Sequence, residues 1–364
     1  MFFSTLQTLS FRNLADVEVD TQGKDIFLVG ENGQGKTNFL EAVYFCSYAS
    51  SFRGASDNEL VHTGEKACFA AAHFTGSLYD RVLIKFENGR KTVYLDGKRV
   101  EDRRELLSVV PCIVFCHEDM EFVAGTPERR RWFFDQNQSL YDPVYLDDLR
   151  KYRQLLKSRN VFLKKAKTMT VDAATHSMLD ALDPQIARYG LSLMEKRLEA
   201  AECFSATFGS LYEEVSGIDR IGVKYGSSWK NMTLEGIIDF LGEHREGDIA
   251  SGLTLTGPHR DRYIFNREGV EFSGKASTGQ RRLLALILRV AQAQRFSEIT
   301  GKYPVLLLDD VLLELDPEKR RKFLAIMPKY DQAFYTFLPE EPFERYRKAD
   351  TLVYYVNNGA IHRE

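Results

Sequence analysis

The sequence predicts an α/β fold, a head built on a parallel sheet and split by an inserted helical lobe, and three observations carry that prediction. A short apolar run at 26–29 leads into the glycine-rich octapeptide Gly30-Glu31-Asn32-Gly33-Gln34-Gly35-Lys36-Thr37, and a helical pattern opens at Lys36. A second apolar run, Val305–Leu308, ends in Asp309-Asp310, the pattern of a central strand covered on both faces. Between the two, at 144–167 and 186–215, apolar residues recur at helical spacing.

Residues 6–11, 17–19, 26–29, 69–74, 81–86, 91–95 and 113–115 read as strands, with one helix at 36–44 among them. Asn88-Gly89 and Asp96-Gly97 are hairpin-turn dipeptides. In the middle, Leu146, Leu149, Tyr152, Leu156 and Leu163 mark one amphipathic helix. Ile186, Tyr189, Leu193, Ala201, Phe204, Phe208, Leu211 and Val215 mark a second. The two predict an antiparallel helical lobe, far too short for a long coiled-coil arm. Strand-like alternation returns after about residue 250, which sets the head at 1–120 plus 245–364 and the lobe at 121–244.

Hydrophobic residues make up 44% of the 364 and charged residues 28%, enough apolar content for a sizeable core in a soluble protein. The net charge of −3 means that any nucleic-acid site must come from a local basic patch. Five scattered cysteines argue against a disulfide framework, and Cys112 and Cys116, around Ile113-Val114-Phe115, read as core residues rather than metal ligands. No apolar run approaches the ~18 residues of a membrane span, and the N-terminus lacks a signal-peptide pattern. A cytoplasmic protein is expected.

The octapeptide fits G-x-x-x-x-G-K-[ST], the phosphate-binding loop, in its required context between strand and helix. Glycines let backbone N–H groups of Gly30, Glu31, Asn32, Gly33, Gln34 and Gly35 curl around phosphate oxygens, and the helix N-terminus adds donors. Lys36 supplies a point charge for β and γ phosphates, and the Thr37 hydroxyl a ligand for Mg²⁺. Such a loop needs an acid at the end of a neighbouring strand. Asp309 fits a Mg²⁺ ligand, and Asp310 a carboxylate that orients the attacking water. ATP with Mg²⁺ is the expected cofactor, with Lys36 and Asp310 as the catalytic pair. Upstream, Ser277-Thr278-Gly279-Gln280 precedes an apolar helix, so Ser277 is also a helix N-cap signal.

The order of these motifs resembles the ABC- and SMC-type ATPases, whose signature is S-x-G-Q. The resemblance implies that Ser277, Gly279 and Gln280 meet the γ-phosphate held by a second copy, closing two nucleotides into a homodimer. Glu314-Leu315-Asp316 resembles their D-loop. Within that group the chain resembles the RecF family in Leu9-Ser10-Phe11-Arg12-Asn13, Lys36-Thr37-Asn38-Phe39-Leu40-Glu41-Ala42, Ser51-Phe52-Arg53, Gly125-Thr126-Pro127-Glu128-Arg129-Arg130-Arg131-Trp132-Phe133-Phe134-Asp135 and Thr256-Gly257-Pro258-His259-Arg260-Asp261. It departs from the family at Arg262, where an aspartate is usual, at Leu313 for the D-loop serine, and at His117 before Glu118-Asp119. Thr336 stands where transporter ATPases have a switch histidine.

The resemblance implies a weak DNA-stimulated ATPase of recombinational gap repair that binds duplex DNA and single-strand/double-strand junctions. It implies work with RecO and RecR to load RecA, and Arg12 and Asn13 beside the nucleotide. From 128 to 167 eleven basic side chains stand against five acidic ones, a local patch that would release counterions from DNA. Arg53, Arg130, Arg131, Arg159, His259 and Arg260 are the DNA-contact candidates. A nucleotide-gated interaction module with negligible hydrolysis, or another ABC-type subunit, are the alternatives.

Overall fold

The central strands Asp25–Val29, Val305–Leu308 and Gln332–Phe337 are buried along their whole length, as runs dominated by apolar side chains require. A computed structural model describes residues 1–102, 104–107, 109–168, 173–312 and 315–364. The first unit joins Met1–Asp119 to Leu286–Glu364, and the second is Met120–Ala285.

In chain order the first unit opens with β1 (Phe2–Leu9), β2 (Val17–Asp20), β3 (Asp25–Val29), α1 (Lys36–Tyr48), β4 (Ala67–Thr75), β5 (Arg81–Glu87), β6 (Arg90–Leu95), β7 (Lys98–Arg99), α2 (Arg104–Leu107) and β8 (Cys112–Phe115). The second contains α3 (Glu121–Ala124), α4 (Pro127–Ser139), α5 (Pro143–Thr168), α6 (Ala173–Ser216), β9 (Ile221–Gly226), α7 (Leu234–Glu243), α8 (Arg245–Ser251), β10 (Arg262–Arg267) and β11 (Val270–Glu271). The boundary falls inside α9 (Thr278–Thr300); β12 (Val305–Leu308), α10 (Pro317–Ala325), β13 (Gln332–Phe337), β14 (Thr351–Asn357) and β15 (Ala360–Arg363) complete the first unit.

Two six-stranded sheets build the first unit. One is antiparallel, ordered β2-β1-β4-β5-β6-β7, and its tight turns at Asn88-Gly89 and Asp96-Gly97 hold both residues at positive φ, as a type I′ hairpin demands. The other is ordered β15-β14-β3-β13-β12-β8, with every pairing from β14 to β8 parallel. Helix α1 is buried along most of its length, and its apolar side chains join those of both sheets in one core. In the parallel sheet β13 lies between β3 and β12, so the ends of the loop strand and the acid strand flank the end of β13. Cys112 and Cys116 are buried, as their apolar neighbours predict.

The second unit differs from a purely helical lobe. The long helices α5 and α6 pack together, but β9, β10 and β11 form an antiparallel sheet beside them. The return to the head expected at 245 comes instead at Leu286, because β10 pairs with β9 and α8 packs on α5. Helix α6 begins before the expected 186, since it continues through Pro184. Among the described residues no helix is long and apolar enough to cross a membrane.

Candidate nucleotide site

Gly30 follows β3 directly, and a Cβ there would come 2.4 Å from Val356 O, so only glycine lets the chain turn away from the sheet. Gly35 has φ 119, a conformation that closes the loop onto the first turn of α1. Lys36 is 4% exposed and folds back over the loop, its Nζ donating to Gly30 O at 2.6 Å and Glu31 O at 3.1 Å. Glu31, Asn32 and Gly33 face solvent.

The loop is held from outside by residues far away in sequence. Asn358 N donates to Gln34 Oε1 at 2.6 Å and Gly359 N to Gln34 O at 2.8 Å, so the β14–β15 turn buttresses it. Asn13 Nδ2 donates to Gly33 O at 3.1 Å, and Asn38 Nδ2 to Asn13 Oδ1 at 2.7 Å. Arg53, a DNA-contact candidate, donates to Asn38 Oδ1 at 3.2 Å and so stands beside this loop. Arg12 turns its guanidinium to Glu41, with bonds of 2.8 and 3.0 Å, and Ser51 donates to the same fully buried carboxylate. Arg12 thereby anchors α1.

The expected acid arrives at the loop. Thr37 Oγ1 donates to Asp309 Oδ1 at 2.9 Å. Burial, then the neighbouring charge of Asp310, push the Asp309 carboxyl up to about 6. Two adjacent carboxylates, one of them largely buried, are a setting in which a cation would relieve the charge. Mg²⁺ needs only one or two protein oxygens when phosphates supply the rest, and the pair Thr37 and Asp309 provides such a hard-oxygen edge. Asp310 has φ 52 and is bonded to Thr336. Asp119 is instead a structural acid, fully buried and paired with Arg289 at 2.6 Å, while Glu118 is exposed.

In the second unit Ser277 caps α9 reciprocally. Gln280 N donates to Ser277 Oγ at 3.3 Å and Ser277 N to Gln280 Oε1 at 2.8 Å. Ser277, Thr278 and Gly279 are exposed, so the signature occupies an open helix N-terminus. Leu313 and Glu314 of the D-loop resemblance lie outside the described residues, while Asp316 caps α10 through Lys319 N at 3.0 Å.

Several expected DNA contacts are structural instead. Arg159 is fully buried, bonded to Asp183 at 2.7 Å, Asp248 at 2.5 Å and Thr254 at 2.9 Å. Arg131 is buried and donates to Asp261 O at 2.7 Å. Arg130 bonds Tyr263 O at 3.2 Å and Glu271 at 3.4 Å. Arg197 grips Asp135 and Pro258 O. Arg260 and Arg262 are exposed, as are Lys151, Lys157, Lys164 and Lys167 along α5, so a basic strip survives there.

His259 is half-buried and bonded on both ring nitrogens. Its Nε2 donates to Thr254 O at 2.9 Å, which leaves Nδ1 to accept from Tyr152 OH at 2.8 Å. Burial pushes this imidazole down to about 4. The unfolded chain therefore binds a proton that the folded chain refuses between about 6.5 and about 4. Stability from this group is complete above that window, is lost as pH falls through it, and changes no further below it. His259→Gln should flatten that part of the pH dependence, as urea melts at pH about 7 and about 5 would register.

The comparisons with known proteins bear on this arrangement. The RecF/RecN/SMC N terminal domain profile matches residues 2–362. "DNA replication and repair protein RecF" of Treponema pallidum (strain Nichols) is 42% identical over 359 residues, 98% of this chain and 100% of that one. The protein of the same name from Bacillus subtilis (strain 168) is 30% identical, covering 99% and 100%. A solved structure, "Structure of the recombination mediator protein RecF-ATP in RecFOR pathway", superposes with TM-score 0.88 at 26% identity, covering 100% of this chain and 97% of the other. An Smc head from Pyrococcus furiosus shares the fold, with TM-score 0.56 at 15% identity over 100% and 96%. With the octapeptide, the acid-terminated strand and the capped signature helix in one chain, and with relatives matched end to end, this protein belongs to the RecF family of the ABC/SMC-type ATPases.

Proposed function

We propose that the chain is an ATP-dependent DNA-binding protein of recombinational gap repair. The observation that carries the reading is the 2.9 Å bond from Thr37 to Asp309, which joins two motifs 272 residues apart at the C-terminal ends of strands of one parallel sheet. Gly30 to Thr37 would cradle the phosphates, with Lys36 turning from its own loop carbonyls to the β and γ oxygens. Thr37 and Asp309 would hold Mg²⁺, which neutralises charge on the phosphates. Asp310 orients the attacking water, and Asn13 keeps the loop open. Exposed Ser277 and Gly279 would meet the γ-phosphate held by a second copy. ATP, carrying the anion that ADP lacks, then selects the dimer.

Duplex DNA and single-strand/double-strand junctions are the substrates of this reading. The lysines along α5 and exposed Arg260 are the contacts, made to the backbone without reading bases. Hydrolysis is weak and DNA-stimulated, RecR and RecO are the partners, and RecA loading is the outcome. The relative with bound ATP, described as a mediator of the RecFOR pathway, supports it.

Sedimentation with ATP, ADP and no nucleotide tests the core. A dimer in ATP alone, with DNA binding in ATP that weakens steeply with salt, is expected. A monomer in all three conditions would refute the dimer mechanism.

A further inference from the structure

Three hydrogen bonds converge on the hydroxyl of Thr336, near the end of β13. Asp310 N donates to Thr336 Oγ1 at 2.8 Å. Asp310 Oδ1 lies 2.8 Å from the same oxygen, and Asp309 Oδ1 lies 3.3 Å from it. A hydroxyl has one proton and two lone pairs. Accepting from the Asp310 amide uses a lone pair, so the proton faces the two carboxylates and goes to the nearer, Asp310. The register explains the placement: Leu308 pairs with Tyr335 and Leu28 with Thr336, so Thr336 lies across from the residue that follows β12. Asp310 meanwhile has φ 52, in the left-handed region, where a non-glycine residue persists only when its surroundings hold it.

We propose that Thr336 is a positioning residue for ATP hydrolysis, closing a two-point clasp on the amide and carboxylate of Asp310. The clasp does two things. It fixes the direction of a carboxylate whose backbone has left the strand conformation, and it gives that carboxylate a donor of its own beside the neighbouring charge of Asp309. Asp309 meanwhile faces Thr37 and Asp310 faces Thr336. The inference rests on the reading of Asp310 as the residue that orients water. Thr336 itself acts only through Asp310.

The test uses the full chain. Thr336→Val keeps the β-branched shape and loses the hydroxyl, Thr336→Ala loses the hydroxyl with less bulk, and Thr336→Ser keeps it. Steady-state turnover with duplex DNA, equilibrium binding of Mg-ATP and the melting temperature are measured for each, with Asp310→Asn beside them. Thr336→Val and Thr336→Ala should lose roughly 10- to 100-fold in kcat, the scale of a misplaced reacting group. Mg-ATP affinity should stay within about 3-fold, and Thr336→Ser should keep at least about a third of parental kcat, as a small angular error predicts. Equal losses in all three variants, or a kcat loss matched by lost ATP binding, would overturn the proposal. So would an inactive Asp310→Asn beside a fully active Thr336→Val, and that result would leave the reading of Asp310 standing. Parental turnover in Asp310→Asn would remove both.

Discussion

Lys36→Ala should remain folded yet stay monomeric in ATP and fail to bind DNA in an ATP-dependent way. Lys36 is 4% exposed and its ammonium donates to Gly30 O and Glu31 O, so it also braces the loop. Alanine leaves the buried Gly30 carbonyl without this donor, a cost of about 1–3 kcal/mol. The larger loss comes with nucleotide. Hydrogen bonds to charged groups contribute about 1.5–3 kcal/mol each, and Lys36 would make at least one to each of two phosphates. The expected fall in ATP affinity is on the order of 100-fold or more. Titration calorimetry measures it directly, and sedimentation reads the dimer. Asp310→Asn is the informative contrast, since it should keep ATP-bound dimers and lose turnover. Dimers of Lys36→Ala in ATP would show that something other than phosphate recognition assembles the two copies.

That contrast depends on motifs the sequence states openly, and the reason is physical. A phosphate loop is local: strand, glycines, lysine and helix N-terminus lie within a dozen residues, so the chain must write them together. The acid strand is legible for a similar reason, because Val305–Leu308 is covered on both faces and offers no alternation to misread. What supports these motifs comes from elsewhere in the chain. Thr336 meets Asp310 across 26 residues and Asn358 meets the loop across 324, and nothing in either neighbourhood announces the meeting. The late return to the head has the same origin. The pattern of β10 looks like head sheet, and only its pairing with β9 assigns it to the lobe. Ser277 shows the opposite case, where one residue satisfies both the capping pattern and the signature, so neither reading displaces the other.

Charge was the least legible property, and Arg159 is the clearest instance. In sequence it is one cation among eleven between 128 and 167. In the fold it neutralises Asp183 and Asp248, each nearly fully buried, from 24 and 89 residues away. Arg159→Ala should therefore destabilise the second unit by about 3–5 kcal/mol, because it leaves buried Asp248 without its cation and Asp183 with Arg245 alone. For a unit of this size that corresponds to a melting temperature lower by roughly 6–20 °C. Arg245, which also bonds Asp183 at 2.8 Å, retains one of the two acids, so the loss should fall below that of Arg159 and Arg245 removed together. Lys164→Ala on the exposed face of the same helix should behave in the opposite way. Its stability should stay within about 0.5 kcal/mol of the parent, while the salt dependence of DNA binding loses a slope of about one. Urea melts and DNA titrations at two salt concentrations separate the two. An Arg159→Ala protein as stable as its parent but impaired on DNA would mean that this guanidinium reaches phosphate after all, and that Asp183 and Asp248 are held by other means.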